Sequence, residues 1–307
     1  MTSMQNSDPA NGRTGKVEER MSRTRGGPSN IERRRKQGFG EGEGAAYKPW
    51  STARSFSSRG MTHRVFSEKT GRIHHYFSTS EMGCGLLLEW SEQVLDYREQ
   101  FPMHDLAETQ EIAAALGYEH PTRRRRSKGQ TIEEDMVMTV DFLVTLAREI
   151  NGARQVAISV KLVESLNDLA QQRRTLEKEE IARRYWERRG VPFRFVTDRE
   201  LPRVLIENLS LVFHYVQLDG LGIRDEEIPS LLDHLYDRIA AAPGVPVNRT
   251  CALTDERLRL SKGTSAALVW HAIAKKLWYA DMTVRLDPER PLHGLSTATS
   301  TQRRRIA

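Results

Sequence analysis

The chain has 307 residues, which is long enough for two domains or one large one. Its 47 Lys and Arg against 41 Asp and Glu give a net charge of +6, a mildly basic balance that permits a polyanionic partner without requiring one. Two cysteines are too few for a disulfide framework. The sequence has no signal-peptide pattern and no apolar stretch of transmembrane length, which argues against secretion and membrane insertion and favours a cytoplasmic protein.

Composition divides the chain into four segments. Residues 1–30 are rich in Ser, Gly, Asn, Arg and Glu and are predicted to be disordered, and so are residues 296–307. Between these ends we predict an α/β domain over 31–205 and a mostly helical domain over 206–295.

The α/β domain is predicted to begin with a hairpin whose turn is Lys69-Thr70-Gly71. A helix follows, with Ser78 as its N-cap and Glu81 three residues later in the position of a capping-box partner.

The hairpin carries the adjacent histidines His74 and His75. Neighbouring side chains on a strand point to opposite faces, which argues against both binding one metal ion. A structural role and a contact to DNA phosphate both stay open for this pair.

A strand over 93–101 and a helix over 108–117 are predicted next, and a basic run follows them. This run is Arg123, Arg124, Arg125 and Arg126. Such runs are often solvated loops. Of the three basic runs in the chain, this one is the best candidate for DNA binding, because it comes shortly before the strand that carries Asp141.

Two strand-like segments, 136–147 and 154–162, flank the turn signal Ile150-Asn151-Gly152. Apolar and polar residues alternate in both, and the polar sets include Asp141 and Lys161. Burying both apolar faces in one core puts Asp141 and Lys161 on the same opposite face. A three-residue loop from Ile150 to Gly152 would place Asp141 directly opposite Lys161, whereas a two-residue loop would break this match.

A charged helix over 175–190 and a strand over 192–198 are predicted to complete the domain. Arg183 and Arg184 lie on the helix, where they could contact phosphate or pair with Glu179 and Glu180. In the second domain we predict helices over 224–242 and 260–276 and a strand over 278–286, a series typical of a winged-helix module.

Phosphodiester hydrolysis needs a positioned water and neutralised phosphate charge, which carboxylates holding divalent cations can supply together with a nearby lysine. Glu81, Asp141 and Lys161 fit this pattern, and hard oxygen ligands suit Mg²⁺. A plain structural interpretation stays open from the residues alone. Glu81 could be only the capping partner of Ser78, and Asp141 and Lys161 only a cross-strand ion pair.

Six ordered motifs then give the sequence a family resemblance. They are YKPW, SRGMTHRVFSEKTGRIHHYFSTSE, LEWSEQVLDYREQFP, TVDFLV, VAISVK and TLEKEEIARRYWERRGVPFRFVTDRE. The series resembles the TnsA family, the endonuclease subunits of heteromeric cut-and-paste transposons. The resemblance covers about residues 35–200 and is looser from about 206 onward.

The resemblance implies a restriction-endonuclease-like fold and a cut at the 5′ ends of transposon DNA that depends on Mg²⁺, for which Mn²⁺ can substitute. It implies a TnsB-like DDE transposase that cuts the 3′ ends, and a TnsC-like AAA+ ATPase that binds the C-terminal domain. The setting would be the bacterial cytoplasm, at the nucleoid during transposition. By motif, Glu81, Asp141 and Lys161 take the catalytic positions. Glu81, Asp141 and the backbone carbonyl of Val160 would be metal ligands.

Two positions depart from the family pattern. Position 159 is usually Gln or Glu but here is Ser159, so its contact to metal is expected to be weak or through water. The position before RRYW is often Glu but here is Ala182. A second function therefore stays open, that of an adaptor that bridges the transposase and the ATPase without cutting DNA.

Overall fold

The computed structural model describes residues 30–52, 61–127, 130–150 and 152–297. The segments predicted to be disordered lie mostly outside this part of the chain. At its two edges, residue 30 begins a helix, and Ser296–Thr297 form a short strand although they were predicted to belong to a disordered tail.

Short helices and strands alternate through the first two thirds of the described residues, and helices dominate the rest. The helices are α1 (Asn30–Lys36), α2 (Thr79–Trp90), α3 (Leu106–Leu116), α4 (Leu169–Glu187), α5 (Arg203–Val212), α6 (Ile228–Ala241), α7 (Val247–Leu258) and α8 (Thr264–Ala274). The strands are β1 (His63–Ser67), β2 (Arg72–Tyr76), β3 (Val94–Pro102), β4 (Thr122–Ser127), β5 (Gln130–Asp135), β6 (Thr139–Ile150), β7 (Ala153–Lys161), β8 (Phe193–Thr197), β9 (Trp278–Tyr279) and β10 (Ser296–Thr297).

A mixed four-stranded sheet with the order β3-β6-β7-β8 lies at the centre of the α/β part of the chain, residues 63–197. Its first three strands are antiparallel, and β8 runs parallel to β7. Helices α3 and α4 cover one face, where Leu143 packs with Ile181 and Trp186. Helix α2 covers the other face, where Cys84 packs with Phe142. The predicted mixed sheet flanked by helices is therefore confirmed.

The turn between β6 and β7 differs from the predicted one. Ile150 pairs with Ala153, so two residues and not three separate the strands. A register irregularity between Thr145 and Ile150 compensates for this shorter loop. The irregularity places extra residues on β6, and this change of register keeps Asp141 and Lys161 on one face although the loop has two residues.

The same irregularity changes the predicted partner of Asp141. Phe142 pairs with Ile158, and continuing this register by one residue places Asp141 opposite Ser159. Lys161 is therefore a diagonal neighbour of Asp141, and the predicted direct opposition is wrong. Both side chains still share one face of the sheet, because the offset is two residues.

Residues 203–297 are mostly helical, as predicted, and pack on α2. Leu86 of α2 belongs to the hydrophobic core that helices α5 to α8 build around Leu268 and Trp270. The predicted strand over 278–286 is reduced to β9, which pairs with β10. The domain boundary predicted at 205/206 falls inside α5. No helix among the described residues is long and apolar enough to cross a membrane.

Candidate active site

Two carboxylates from different elements meet beside the sheet. Glu81 lies in the first turn of α2, where it accepts hydrogen bonds from the Phe77 backbone N–H (3.0 Å) and the Ser78 hydroxyl (3.2 Å). Asp141 lies on β6. The side-chain amide nitrogen of Gln100 is 3.4 Å from Glu81 Oε2 and 3.4 Å from Asp141 Oδ1. The capping interaction of Glu81 therefore holds its carboxylate next to Asp141, so the structural interpretation and the catalytic one are compatible.

Lys161 completes the cluster from β7. Its Nζ lies 3.1 Å from Asp141 Oδ2 and donates to the Ser159 hydroxyl (2.8 Å) and the Val160 carbonyl oxygen (3.2 Å). The Val160 backbone N–H also donates to Asp141 Oδ2 at 2.6 Å. The cluster therefore contains all the residues for which the sequence predicted catalysis or metal binding.

Two further polar residues belong to this cluster, and sequence reasoning missed both. Gln100 lies on β3 with a positive φ of 49°, and it is buried. Glu179 of α4 reaches Lys161 Nζ with its Oε1 at 3.3 Å. A signal for Glu179 was available, because it shares a helix face with Ala182 and Trp186, both buried, and a carboxylate on a core-facing stripe needs a partner. No sequence pattern pointed to Gln100.

The protonation equilibria reflect this crowding of charges. Burial and the neighbouring Asp141 carboxylate raise the pKa of Glu81 to about 7. Burial alone would lower the pKa of Lys161, but the Asp141 and Glu179 carboxylates more than offset it and raise that pKa. Lys161 is therefore an ammonium group at neutral pH, fixed between two carboxylates.

The donor set fits a hard divalent cation, although among the described residues no three His, Cys, Asp or Glu side chains are grouped to hold a metal ion. Two observations support the fit. The Lys161 ammonium, itself a cation, rests against Asp141 Oδ2 and the Val160 carbonyl oxygen. The Glu81 and Asp141 carboxylates also converge closely enough to raise the pKa of Glu81, and a cation between them would relieve this repulsion.

The structure corrects the predicted DNA contact of His74. Its ring is fully buried, with Nδ1 2.9 Å from Glu99 Oε2 and Nε2 2.8 Å from the Thr70 hydroxyl. Arg72 binds the same Glu99 carboxylate at 2.6 Å. The His74 imidazole thus ties the β1–β2 hairpin to β3 and cannot reach a phosphate. His75 is only half-buried, and its DNA contact stays a prediction.

The basic run lies on β4, one strand of a hairpin that the sequence did not predict. Arg123 pairs with Glu134 of β5 at 3.0 Å, and Arg124 with Glu133 at 3.6 Å. The side chains of Arg125 and Arg126 lie outside the described part of the structure. Because acidic residues on β5 balance at least half of this run, it is a weaker phosphate-binding candidate than its sequence indicates.

Arg183 and Arg184 of α4 are also paired with acidic residues. Arg183 binds Glu180 (2.6 Å) and Glu187, and Arg184 binds Glu180 (3.0 Å). These pairs agree with the alternative that the sequence left open, in which the two arginines bind acidic side chains. DNA binding by either arginine stays a prediction.

Comparison with known proteins gives concordant matches over most of the described chain. A family model described as "TnsA-like endonuclease N terminal" matches residues 91–198, and one described as "TnsA endonuclease C terminal" matches residues 200–282. Asp141, Ser159 and Lys161 fall inside the first match, and Glu81 precedes it.

A curated relative also matches a large part of the chain. The Transposon Tn7 transposition protein TnsA of Escherichia coli is 41% identical over 183 residues, which is 60% of this chain and 62% of the relative. The chain thus matches a little under two thirds of that protein. The sheet and its flanking helices fit a restriction-endonuclease-like fold. With both family matches in consecutive order along one polypeptide, the chain belongs to the TnsA-like endonuclease family.

Proposed function

We propose that this protein is a metal-dependent DNA endonuclease that cuts the 5′ ends of a transposon within a heteromeric transposase. The observation that carries the proposal is the convergence of Glu81, Asp141 and Lys161, which come from a helix and two strands, around shared hydrogen bonds. A plain cross-strand ion pair would not explain why a second buried carboxylate is held beside Asp141 against electrostatic repulsion.

Each residue has a role in this proposal. Glu81, Asp141 and the Val160 carbonyl would hold Mg²⁺, or Mn²⁺ in its place, and the ion would neutralise phosphate charge and favour ionisation of a bound water. Lys161, kept as an ammonium by its carboxylate neighbours, orients the attacking water and balances the charge of the scissile phosphate. Its raised pKa disfavours a role as general base. The Ser159 hydroxyl helps to hold the lysine, because it accepts a hydrogen bond from the Lys161 amine at 2.8 Å.

The proposed partners follow from the family. They are double-stranded transposon-end DNA, a TnsB-like DDE transposase that cuts the 3′ ends, and a TnsC-like AAA+ ATPase that binds the helical C-terminal domain. His75, Arg123, Arg124, Arg183 and Arg184 are the described candidates for phosphate contacts. The proposed setting is the bacterial cytoplasm, at the nucleoid.

The test is strand-specific cleavage of a plasmid that carries both transposon ends, with the two partner proteins and Mg²⁺ present. Asp141→Ala should abolish the 5′ cut while the 3′ cut by the partner persists. Glu177→Gln, which removes a carboxylate of α4 that pairs with Arg173 and Arg174, should cut at the wild-type rate. An Asp141→Ala protein that still produces the 5′ cut would refute the nuclease proposal and support the adaptor.

A further inference from the structure

Four oxygen atoms surround the amine of Lys161, and they belong to different kinds of partner. Asp141 Oδ2 (3.1 Å) and the Val160 carbonyl oxygen (3.2 Å) are both proposed metal ligands. The Ser159 hydroxyl is neutral, and its oxygen lies at the shortest of the four distances, 2.8 Å. Glu179 Oε1 at 3.3 Å is the remaining one, and it carries negative charge without being a proposed metal ligand.

Glu179 is held in this position by its place on α4. Its side chain is 14% exposed, and its Oε1 lies 3.3 Å from the Lys161 amine. The next residue, Glu180, points elsewhere and pairs with Arg183 and Arg184. Two adjacent glutamates of one helix therefore have different partners, and only Glu179 faces the site.

We propose that Glu179 is a positioning residue of this active site, whose carboxylate holds the Lys161 amine in place when Asp141 and the Val160 carbonyl bind the metal ion. The inference rests on the proposed nuclease function. An ion at those two oxygens competes for two of the four partners of the ammonium and repels it electrostatically. The Glu179 carboxylate, which is not a proposed metal ligand, then keeps the amine in the site, since an ammonium needs an anionic partner when it is largely buried.

Ser159 is part of this arrangement. It is buried, and its hydroxyl accepts a hydrogen bond from the same Lys161 amine that Glu179 reaches from α4. The second carboxylate oxygen at the Lys161 amine therefore belongs to α4 and not to β7.

The first test is end cleavage by Glu179→Gln, which keeps the shape of the side chain and removes its charge. We expect the single-turnover 5′ cutting rate to fall about 10- to 100-fold, as for a displaced catalytic group. The concentration of end DNA that gives half of the maximal rate should not change. Glu179→Asp should recover part of the rate, and Glu177→Gln, which removes a carboxylate of the same helix that pairs with Arg173 and Arg174, should match the wild type. Calorimetry should show the same Mn²⁺ affinity for Glu179→Gln as for the wild type and a lost affinity for Asp141→Ala.

Wild-type cutting by Glu179→Gln would overturn the inference, and so would a loss of Mn²⁺ affinity equal to that of Asp141→Ala. If Asp141→Ala fails to cut and Glu179→Gln cuts normally, only the role of Glu179 is refuted. If Asp141→Ala cuts as well, the nuclease proposal itself fails.

A second measurement does not depend on cleavage. Reductive methylation of lysines in the presence of Mn²⁺, read by mass spectrometry, should modify Lys161 about tenfold faster in Glu179→Gln than in the wild type, because the amine loses a charged partner. The other lysines serve as internal references. Equal modification of Lys161 in both proteins would overturn the inference whether or not the protein cuts DNA.

Discussion

Gly85 of α2 lies so close to Tyr76 of β2 that a Cβ atom at position 85 would be 2.4 Å from the phenolic oxygen. Tyr76 is almost fully buried and stacks on His74, so it has little freedom to move away. Because Glu81 lies one helical turn before Gly85, this close approach sets the distance at which α2 presents its carboxylate to Asp141.

Gly85→Ala should therefore destabilise the fold, by about 1–3 kcal/mol as is usual for an overpacked core position. Urea denaturation measures the change in the free energy of unfolding. Gly244→Ala is the matched control, since a Cβ there meets no atom within 4 Å. Equal losses for the two variants would contradict this account of α2 packing.

The raised pKa of Glu81 predicts a pH dependence of stability in metal-free protein. A carboxyl whose folded-state pKa is above its unfolded value binds its proton more tightly in the folded state, so its contribution is full below about pH 4.5 and is lost as the pH rises towards about 7. Glu81→Gln should remove this loss and raise Tm at pH 8 by a few degrees, at about 2–4 °C per kcal/mol. Thermal denaturation in EDTA from pH 4.5 to 8 tests it, and parallel profiles for the two proteins would refute it.

Ser159→Gln should lower both stability and cleavage. Position 159 is 3% exposed, and the longer side chain would compete with Glu179 and Lys161 for the same space. We expect a loss of about 1–3 kcal/mol, and a smaller loss in the double variant Ser159→Gln/Glu179→Ala. Urea denaturation of Ser159→Gln, Glu179→Ala and the double variant gives the coupling free energy between the two positions. Additive losses would mean that the two side chains do not share space.

Glu99→Gln should destabilise the protein by about 3–5 kcal/mol, because it leaves the buried Arg72 guanidinium without its anionic partner. Burial alone would raise the pKa of Glu99, but hydrogen bonds and charge from His74 and Arg72 hold it at about 2. Its stabilising effect is thus complete above about pH 4.5 and lost as the pH falls towards 2. Glu43→Gln, which removes an exposed carboxylate 3.7 Å from Arg98, is the control and should change stability little.

The sequence predicted the parts of this fold that depend on local signals. The turn at Lys69-Thr70-Gly71, the Ser78 cap and the helix end near Gly117 are all present, because each is determined by residues within one turn of itself. The shared face of Asp141 and Lys161 also followed from alternation alone.

Features that depend on tertiary contacts could not be predicted in this way. The irregularity after Thr145 moved Lys161 from a direct to a diagonal neighbour of Asp141, and no residue in the segment marks a bulge. The role of His74 stayed open in the sequence, since the Glu99 carboxylate that its ring contacts lies 25 residues away in the chain. Ion pairing of Arg123 and Arg124 depended on a hairpin whose second strand was not recognised.

The left-handed backbone of Gln100 gives the N-terminal segment an influence on the site. A residue other than glycine adopts such a conformation only at an energetic cost, which surrounding contacts must offset. Here the Trp50 backbone N–H donates to the Gln100 carbonyl (3.2 Å), and the Tyr47 hydroxyl donates to the Glu99 carbonyl (3.0 Å). A protein shortened to begin at residue 51 would retain every proposed catalytic side chain and lose the brace that fixes the amide between two of them.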